Sequence, residues 1–235
     1  MALFAMLFPS PLLKGRLIQR YKRFLADIAL EEGGDIITAH CPNPGAIQGL
    51  TEPGTPVWVS KSPNPARALP FTWEMAESEG TFVGMNTSHP NALVVEAIQA
   101  GLIPQLQGYP KLTREVNYGE NSRIDILLSD PFAYVEVKNV HWKRGNMAAF
   151  PSSPTLRGTK HMRELSTMVE QGHKAYVVYV VQRNDCEKFE LAHDIDPLYA
   201  REASLAFEKG VQSLVYACDI NPKGITLVRP ITFQS

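Results

Sequence analysis

The stretch 122-SRIDILLSDPFAYVEVKNV-140 decides the fold of the C-terminal half of the chain. Two apolar runs, 122–128 and 133–140, flank the turn sequence SDPF, and this pattern predicts a β-hairpin. Glu136 and Lys138 are two residues apart, so they share one face of the second strand. Asp125 adds a carboxylate to the first strand. Charge on otherwise apolar strands indicates a functional face.

The turn also predicts the register of the hairpin. If Leu128 pairs with Ala133, Asp125 lies directly opposite Glu136, with Cβ atoms about 5 Å apart, where like charges repel. A hard divalent cation such as Mg²⁺ or Mn²⁺ would turn that repulsion into coordination. Lys138 could then orient a water or stabilise charge on a phosphate. The opposite face is predicted to be wholly apolar, formed by Ile124, Ile126, Val135 and Val137.

A plainer interpretation of the hairpin stays open. Asp125 and Glu136 would be ordinary surface residues neutralised by Arg123 and Lys138. Such exposed pairs contribute less than about 1 kcal/mol.

Outward from the hairpin, the sequence predicts two domains. Residues 1–85 contain short β-rich runs broken by turns, typical of a small OB-type barrel, with an SH3-like barrel as the alternative. Residues 86–235 predict an α/β domain with a mixed sheet, in which the apolar run AYVVYVV (175–181) is a central strand covered on both sides. The predicted elements there are a helix from about 91, strands 111–118, 122–128 and 133–140, helix 156–171, strand 174–182, helix 197–210, and strands 213–219 and 225–229.

Composition excludes several classes of protein. A 235-residue chain that is 44% hydrophobic can bury a core, and its three cysteines form no C-x-x-C pair or zinc-type cluster. We expect reduced cysteines and a cytoplasmic location. The apolar segment 1–13 has neither the flanks of a signal peptide nor the length of a membrane span, so no membrane partner is expected. The chain has no P-loop or dinucleotide-binding glycine motif.

Local charge indicates a polyanionic partner although the net charge is only −1. Two stretches, 14–23 and 137–163, contain basic residues and no acidic ones. Polyanions respond to such patches rather than to the mean charge. The candidate DNA-binding residues are Arg16, Arg20, Arg23, Lys143, Arg144, Arg157, Lys160 and His161.

Each basic patch has a plainer alternative. Either patch could be a solvated face, and Lys160 could simply pair with Glu164 one turn along a helix. The segment 143–155 predicts a mobile loop over the site, or a mere connector.

Aromatic residues are interleaved with basic ones in the first domain. OB-type barrels bind single strands by stacking bases on aromatic rings in a basic groove. Most of these rings must fill the core, so we expect no more than two to stack, without assigning which. The six are Tyr21, Phe24, Trp58, Phe71, Trp73 and Phe82.

Several longer motifs point to a family. They are LIQRYKRF (17–24), HCPNPG (40–45), SRID (122–125), YVEVK (134–138) and RGTKHMREL (157–165). In these motifs the chain resembles the sugar fermentation stimulation protein A family. The I-D, E-V-K pattern of the hairpin resembles the PD-(D/E)-x-K superfamily of metal-dependent nucleases, with Ile124 where the proline stands.

The resemblance implies roles for individual residues. Asp125 and Glu136 would hold the metal, with Glu96 of the preceding helix as a further ligand, and Lys138 would be the catalytic lysine. It also implies an OB-like domain, a nuclease-like domain, and binding of single- or double-stranded DNA with little sequence preference.

Two functional hypotheses follow, and a third has little support. The first is a DNA-binding protein with a Mg²⁺-dependent nuclease site, and the second is a non-catalytic DNA-binding regulator of sugar metabolism that keeps the nuclease fold as a scaffold. The third, an enzyme acting on phosphorylated sugars, has only the family name behind it. The oligomeric state is open, with a homodimer as one alternative.

Overall fold

A computed structural model of the chain describes residues 6–8 and 11–234. The expectation about the apolar segment 1–13 therefore falls partly on residues 1–5, 9 and 10, outside the described residues.

The N-terminal half forms a closed OB barrel, as predicted. Its strands are β2 (Leu13–Tyr21), β3 (Leu25–Leu30), β4 (Ile36–His40), β5 (Pro56–Lys61), β6 (Phe71–Ser78) and β7 (Thr81–Gly84). The first strand, β1 (Met6–Leu7), belongs to the sheet of the other domain. The five strands of the barrel follow the order β4-β3-β2-β5-β6, and a parallel pairing of β4 with β6 closes it. Strand β7 pairs with β6 as a sixth strand of the sheet. Gly15 of β2 is required by close packing, since a Cβ there would lie 2.5 Å from the Ile28 side chain.

The C-terminal half is an α/β domain around a seven-stranded mixed sheet. Its elements are α1 (His89–Gln99), a 3-10 turn (Pro104–Leu106), β8 (Lys111–Tyr118), β9 (Ser122–Ser129), β10 (Ala133–Val140), β11 (Lys143–Arg144), β12 (Met147–Phe150), α2 (Leu156–Glu170), β13 (Lys174–Val181), β14 (Lys188–Leu191), α3 (Pro197–Lys209), β15 (Gln212–Asn221), β16 (Gly224–Pro230) and β17 (Thr232–Phe233). The sheet order is β1-β16-β15-β13-β10-β9-β8, where β1 is Met6–Leu7. Residues 6 and 7 therefore pair with the α/β sheet, although the predicted domain division groups them with the barrel.

Two apolar clusters sandwich this sheet. Along β13, Val178 and Val180 pack in the cluster that contains α1, while Val177 and Tyr179 pack in the cluster that contains α2 and α3. This arrangement confirms the prediction that 175–181 is a central strand covered on both sides. Because β10 pairs in parallel with β13 over its whole length, the face that carries Glu136 and Lys138 lies beneath α2.

Local sequence explains where the two later helices begin. The Thr155 side chain accepts a hydrogen bond from the backbone N–H of Gly158 and caps α2. Asp196 caps α3 in the same way through Tyr199, with Pro197 in the first turn. These are the preferred residue types at helix starts, and the Thr155 cap sets where the basic first turn of α2 lies.

The segment 143–155 differs from its prediction as a mobile loop. Residues 143–144 and 147–150 form β11 and β12 of a second, four-stranded sheet with β14 and β17, and Ala148 and Ala149 are buried. The strand β12 pairs with residues 188–191, a partner that local sequence does not reveal. Only residues 151–155 remain as a connection to α2.

Candidate active site

The hairpin has the predicted register, but its backbone pairing ends before Asp125 and Glu136. Its ladder joins Ala133 to Leu128 and Val135 to Ile126. Beyond these pairs the Asp125 side chain takes the place of a backbone acceptor, because its Oδ2 accepts a hydrogen bond from the N–H of Val137 at 2.8 Å. Asp125 thus reaches the neighbourhood of Glu136 as a side chain inserted between the strands.

The prediction that four apolar residues share one face of the hairpin is partly wrong. Ile126, Val135 and Val137 pack together in the α1 cluster, but Ile124 packs in the α2 cluster. The strand β8 beside it has Glu115 in a left-handed conformation (φ 54°), opposite the same stretch of β9. Arg123 is exposed and pairs with Glu115 at 3.0 Å, so it does not neutralise Asp125.

Glu136 is the centre of a buried charged cluster. Its side chain is 3% exposed, and its Oε1 accepts a hydrogen bond from Lys138 Nζ at 2.7 Å. His161 Nδ1 from α2 contacts the same oxygen and lies 3.3 Å from Lys138 Nζ. Arg157, one turn earlier, approaches the other His161 nitrogen at 3.4 Å. The second oxygen, Oε2 of Glu136, is buried without a hydrogen-bond partner among the described residues.

The two carboxylates have opposite pKa shifts. Burial, with the nearby Glu136 charge, raises the pKa of Asp125 despite its hydrogen bonds from Val137 and Asn91. Burial also acts to raise the pKa of Glu136, but Lys138 and His161 outweigh it and hold that pKa below its usual range. Burial and the charges of Glu136, Glu164 and Asp125 raise the pKa of the Tyr118 phenol. Three carboxylates, Asp125, Glu136 and Glu164, thus lie close enough to act on Tyr118.

Helix α1 reaches the site through Asn91 rather than Glu96. The Asn91 side chain donates a hydrogen bond to Asp125 Oδ1 at 2.8 Å. The side chain of Glu96, the predicted third ligand, makes no hydrogen bond or ion pair with any described residue, and partial burial alone raises its pKa. Within residues 6–8 and 11–234, no three His, Cys, Asp or Glu side chains form a group that could hold a metal.

The first turns of α2 line a cleft with Asp125. The cleft has a volume of about 800 Å³. Three of the predicted DNA-binding residues, Arg157, Lys160 and His161, lie on its wall, where backbone N–H groups at a helix start also favour anions. The remaining wall comes from the β8–β9 hairpin: Glu115, Asn117, Tyr118, Gly119, Asn121, Ser122 and Arg123.

Lys160 has local partners as well. Its Nζ donates to the backbone oxygen of Glu120 at 2.5 Å and lies 3.6 Å from Glu164, the predicted pair one turn along. It is nevertheless about half exposed, so its charge faces the cleft as well as the hairpin.

The other basic candidates lie away from this cleft. Lys143 is paired with Asp185 at 2.7 Å and Glu79 at 2.9 Å. Arg144 is paired with Asp194 at 2.7 Å. These two predicted DNA-binding side chains are thus held in ion pairs within the protein.

In the barrel, the three arginines differ in their partners. Arg16 lies 3.3 Å from Glu31. Arg20 donates to the backbone oxygens of Arg23, Asn43 and Gly45. Arg23 is exposed.

Sequence reasoning missed three residues of the site. Asn91 is a neutral side chain at the start of an amphipathic helix, with no signal that could have singled it out. Tyr118, at the end of β8, gave no signal either. Glu164 was interpreted only as the partner of Lys160, although both its oxygens are buried without a hydrogen-bond partner among the described residues and its charge acts on Tyr118.

No helix within the described ranges is both long enough and apolar enough to cross a membrane.

Comparison with known proteins gives consistent matches over the whole chain. The family model described as "Sugar fermentation stimulation protein RE domain" matches residues 88–224, and "SfsA N-terminal OB domain" matches residues 18–85. The sugar fermentation stimulation protein homolog of Rhodospirillum centenum is 54% identical over 98% of this chain and 100% of its own length. That of Maricaulis maris is 49% identical over 97% of this chain and 99% of its own length.

The fold is similar to that of a solved structure. It is the structure of Pyrococcus furiosus SfsA in complex with Ca²⁺, which aligns with a TM-score of 0.89 over 99% of this chain and 100% of that one. The two sequences are 23% identical, so the likeness concerns the fold alone.

Proposed function

The chain belongs to the sugar fermentation stimulation protein family, and we propose that it binds nucleic acid and hydrolyses phosphodiester bonds with the aid of a divalent cation. The observation that carries the proposal is the meeting of two carboxylates, a lysine and the basic start of a helix at one cleft. Asp125, His161 and Arg157 line the cleft, and Glu136 and Lys138 lie directly behind His161.

Asp125 and Glu136 fit the needs of a hard cation. Mg²⁺ is usually held by one or two carboxylates together with water and substrate phosphate oxygens. Glu136 Oε2 is a buried oxygen with no hydrogen-bond partner among the described residues. Leaving such an oxygen unpaired costs free energy unless a ligand binds it. Burial, together with the nearby Glu136 charge, raises the pKa of Asp125, and a bound cation would favour its ionised form. The Ca²⁺ in the Pyrococcus furiosus complex supports a hard-cation site in this fold.

When bound, Mg²⁺ or Mn²⁺ would supply an activated water and neutralise the scissile phosphate. The protein's own groups prepare that site. Asn91 and the Val137 N–H fix both oxygens of Asp125. Lys138 Nζ, held by Glu136 and His161, is a buried positive charge that can orient a nucleophilic water or stabilise charge developing on the phosphate.

Substrate binding would use the walls of the cleft. Arg157 and Lys160 in the first turns of α2 offer charge-assisted contacts to phosphate oxygens. These contacts carry no information about base sequence, in keeping with DNA binding of low sequence specificity. Three free, buried cysteines, Cys41, Cys186 and Cys218, support our proposal that the protein works in a reducing compartment such as the cytosol.

A cleavage assay tests the proposal. Purified protein is incubated with single- and double-stranded DNA and RNA in Mg²⁺, in Mn²⁺ and in chelator. We expect cation-dependent cleavage that is lost in Glu136→Ala and Lys138→Ala. Equal inertness of wild type and both variants on every substrate would remove the enzymatic proposal.

One observation favours the second candidate, a non-catalytic nucleic-acid-binding regulator. Lys138 pairs directly with Glu136 at 2.7 Å, and this contact neutralises the buried carboxylate without a metal. The regulator predicts binding that weakens steeply with salt through counterion release and needs no divalent cation. Binding that is unaffected by chelator, with no cleavage of any substrate, would favour it.

A further inference from the structure

We propose that the tip of the β2–β3 hairpin, Lys22-Arg23-Phe24, is a contact for single-stranded nucleic acid, with Phe24 stacking on a base and Lys22 and Arg23 binding phosphates. The inference rests on the proposed function and deepens it, because it names the strandedness of the partner and places a contact outside the cleft.

Phe24 is the aromatic side chain that the barrel leaves most exposed among its described residues. It is 47% exposed, whereas Trp73 and Trp58 are buried in the core. Tyr21 is half buried, with its hydroxyl on Asp27. Among the barrel aromatics expected to include stacking residues, Phe24 is therefore the candidate. It lies at a hairpin tip rather than on the face of a strand.

The two residues before Phe24 supply unpaired positive charge. Lys22 and Arg23 are exposed, and their side chains make no hydrogen bond or ion pair with any residue the structure describes. On the same strand β2, by contrast, Lys14 and Arg16 both lie 3.3 Å from Glu31. Sites that bind single-stranded nucleic acid combine positively charged side chains with exposed aromatic rings.

The backbone of the tip is strained and firmly held. Lys22 (φ 47°) and Arg23 (φ 65°) both adopt the left-handed conformation, which L side chains disfavour and glycine or asparagine would adopt more easily. Residues in this conformation persist where surrounding contacts impose it, and such positions concentrate at ligand sites. Here Arg20 donates to the Arg23 oxygen at 2.8 Å, and the Cys41 N–H donates to the Phe24 oxygen at 2.8 Å. The ring and the two charges are presented by a fixed scaffold.

A series of contacts connects the tip to the cleft. Arg20 also donates to the backbone oxygens of Asn43 and Gly45. Gln48, a few residues on, donates to the Ser152 oxygen at 3.2 Å. Ser152 lies in the short connection that leads into α2 and Arg157. The sequence motif HCPNPG thus gains a structural role, because it joins the hairpin tip to the segment that enters the candidate active site.

Binding measurements test the inference. The probe is a fluorescein-labelled oligothymidine, titrated with protein in chelator at one low salt concentration and followed by anisotropy. Phe24→Ala should weaken binding by about tenfold or more, the loss expected for one stacked base. Phe24→Tyr should bind like wild type because it keeps a ring. Ile36→Ala is the matched control, since Ile36 is an apolar barrel residue with 71% exposure at the far end of β4.

A second arm uses a blunt duplex of the same length. Phe24→Ala should leave duplex binding unchanged, since paired bases are not available to the ring. Equal binding of the single strand by wild type, Phe24→Ala and Ile36→Ala would overturn the inference and leave the proposed function standing. The same would follow if Phe24→Ala weakened single-strand and duplex binding alike. A wild type that binds neither probe would overturn both proposals.

Discussion

Lys138 Nζ lies 2.7 Å from Glu136 Oε1, and both side chains are almost fully buried on the α2 side of β10. The pair satisfies one carboxylate oxygen and leaves Oε2 without a partner among the described residues. In a buried ion pair of this kind, removal of one member leaves the other as an uncompensated buried charge.

Removing one member should therefore destabilise the protein. Glu136→Gln leaves the Lys138 charge buried without its counterion, and we expect the free energy of unfolding to fall by about 3 kcal/mol. The double variant Glu136→Gln with Lys138→Met removes the uncompensated charge and should recover most of that loss. Urea denaturation measures both. The double variant should nevertheless cleave no DNA, so folding and chemistry are separated; a double variant no more stable than the single one would contradict this origin of the loss.

Asn91 should matter to the site more than Glu96, although both lie on α1. Asn91 fixes an oxygen of Asp125 at 2.8 Å, and loss of such a supporting hydrogen bond typically lowers metal affinity about 10- to 100-fold. Asn91→Ala should weaken Mn²⁺ binding in calorimetric titration by about that factor, and Glu96→Ala should change it less than about twofold. If Glu96→Ala weakened Mn²⁺ binding more than Asn91→Ala did, Glu96 rather than Asn91 would be the α1 residue that supports the cation site.

Cation binding should depend on pH through Asp125. Burial and Glu136 raise the pKa of Asp125, so this carboxyl takes up a proton at a higher pH than an ordinary aspartate does. The protonated form cannot bind a cation. Mg²⁺ should raise the melting temperature of wild type at neutral pH, and the increase should shrink as the pH falls, starting at a higher pH than protonation of an ordinary aspartate would allow. An increase of the same size throughout this fall in pH would argue that the cation binds elsewhere.

His141 should make stability depend on pH independently of the site. Its ring is buried beside Arg183, and burial with that charge lowers its pKa from 6.5 to about 4. The unfolded chain binds a proton there below about pH 6.5, but the folded chain does so only below about pH 4, so stability is lost as pH falls through this range.

The loss attributable to His141 is on the order of 3 kcal/mol. It is measured as the difference in unfolding free energy between wild type and His141→Phe, followed from about pH 7 to about pH 4. The exposed residue His193 provides the control variant, His193→Gln, which should follow wild type throughout. Parallel pH curves for wild type and His141→Phe would contradict the assignment.

Long elements with a clear period were predictable from the sequence, and short strands were not. Strands such as β10 and β13 and helices such as α2 carry their apolar pattern over eight or more residues. The strands β11, β12, β14 and β17 have two to four residues each. They exist because they pair with one another across the chain, and no local pattern reports that pairing.

The candidate site likewise contains residues that the sequence predicted and residues that it did not. Asp125, Glu136 and Lys138 were predictable because charge on apolar strands is unusual and hairpin register follows from the turn. Asn91 lies 34 residues before Asp125. Asp185 and Asp194, which pair with Lys143 and Arg144, lie 42 and 50 residues after them. Such partners are brought together by the tertiary fold. The hydrogen bond from the Val137 N–H to the Asp125 side chain likewise replaces a backbone pairing that the turn alone would predict.

Anomalous X-ray diffraction from crystals soaked in Mn²⁺ shows whether Asp125 and Glu136 hold a cation. We predict an anomalous peak within bonding distance of an Asp125 oxygen and of Glu136 Oε2 in wild type, and no peak there in the double variant Glu136→Gln with Lys138→Met. A Mn²⁺ peak elsewhere, with none at these two carboxylates in wild type, would contradict the proposed cation site.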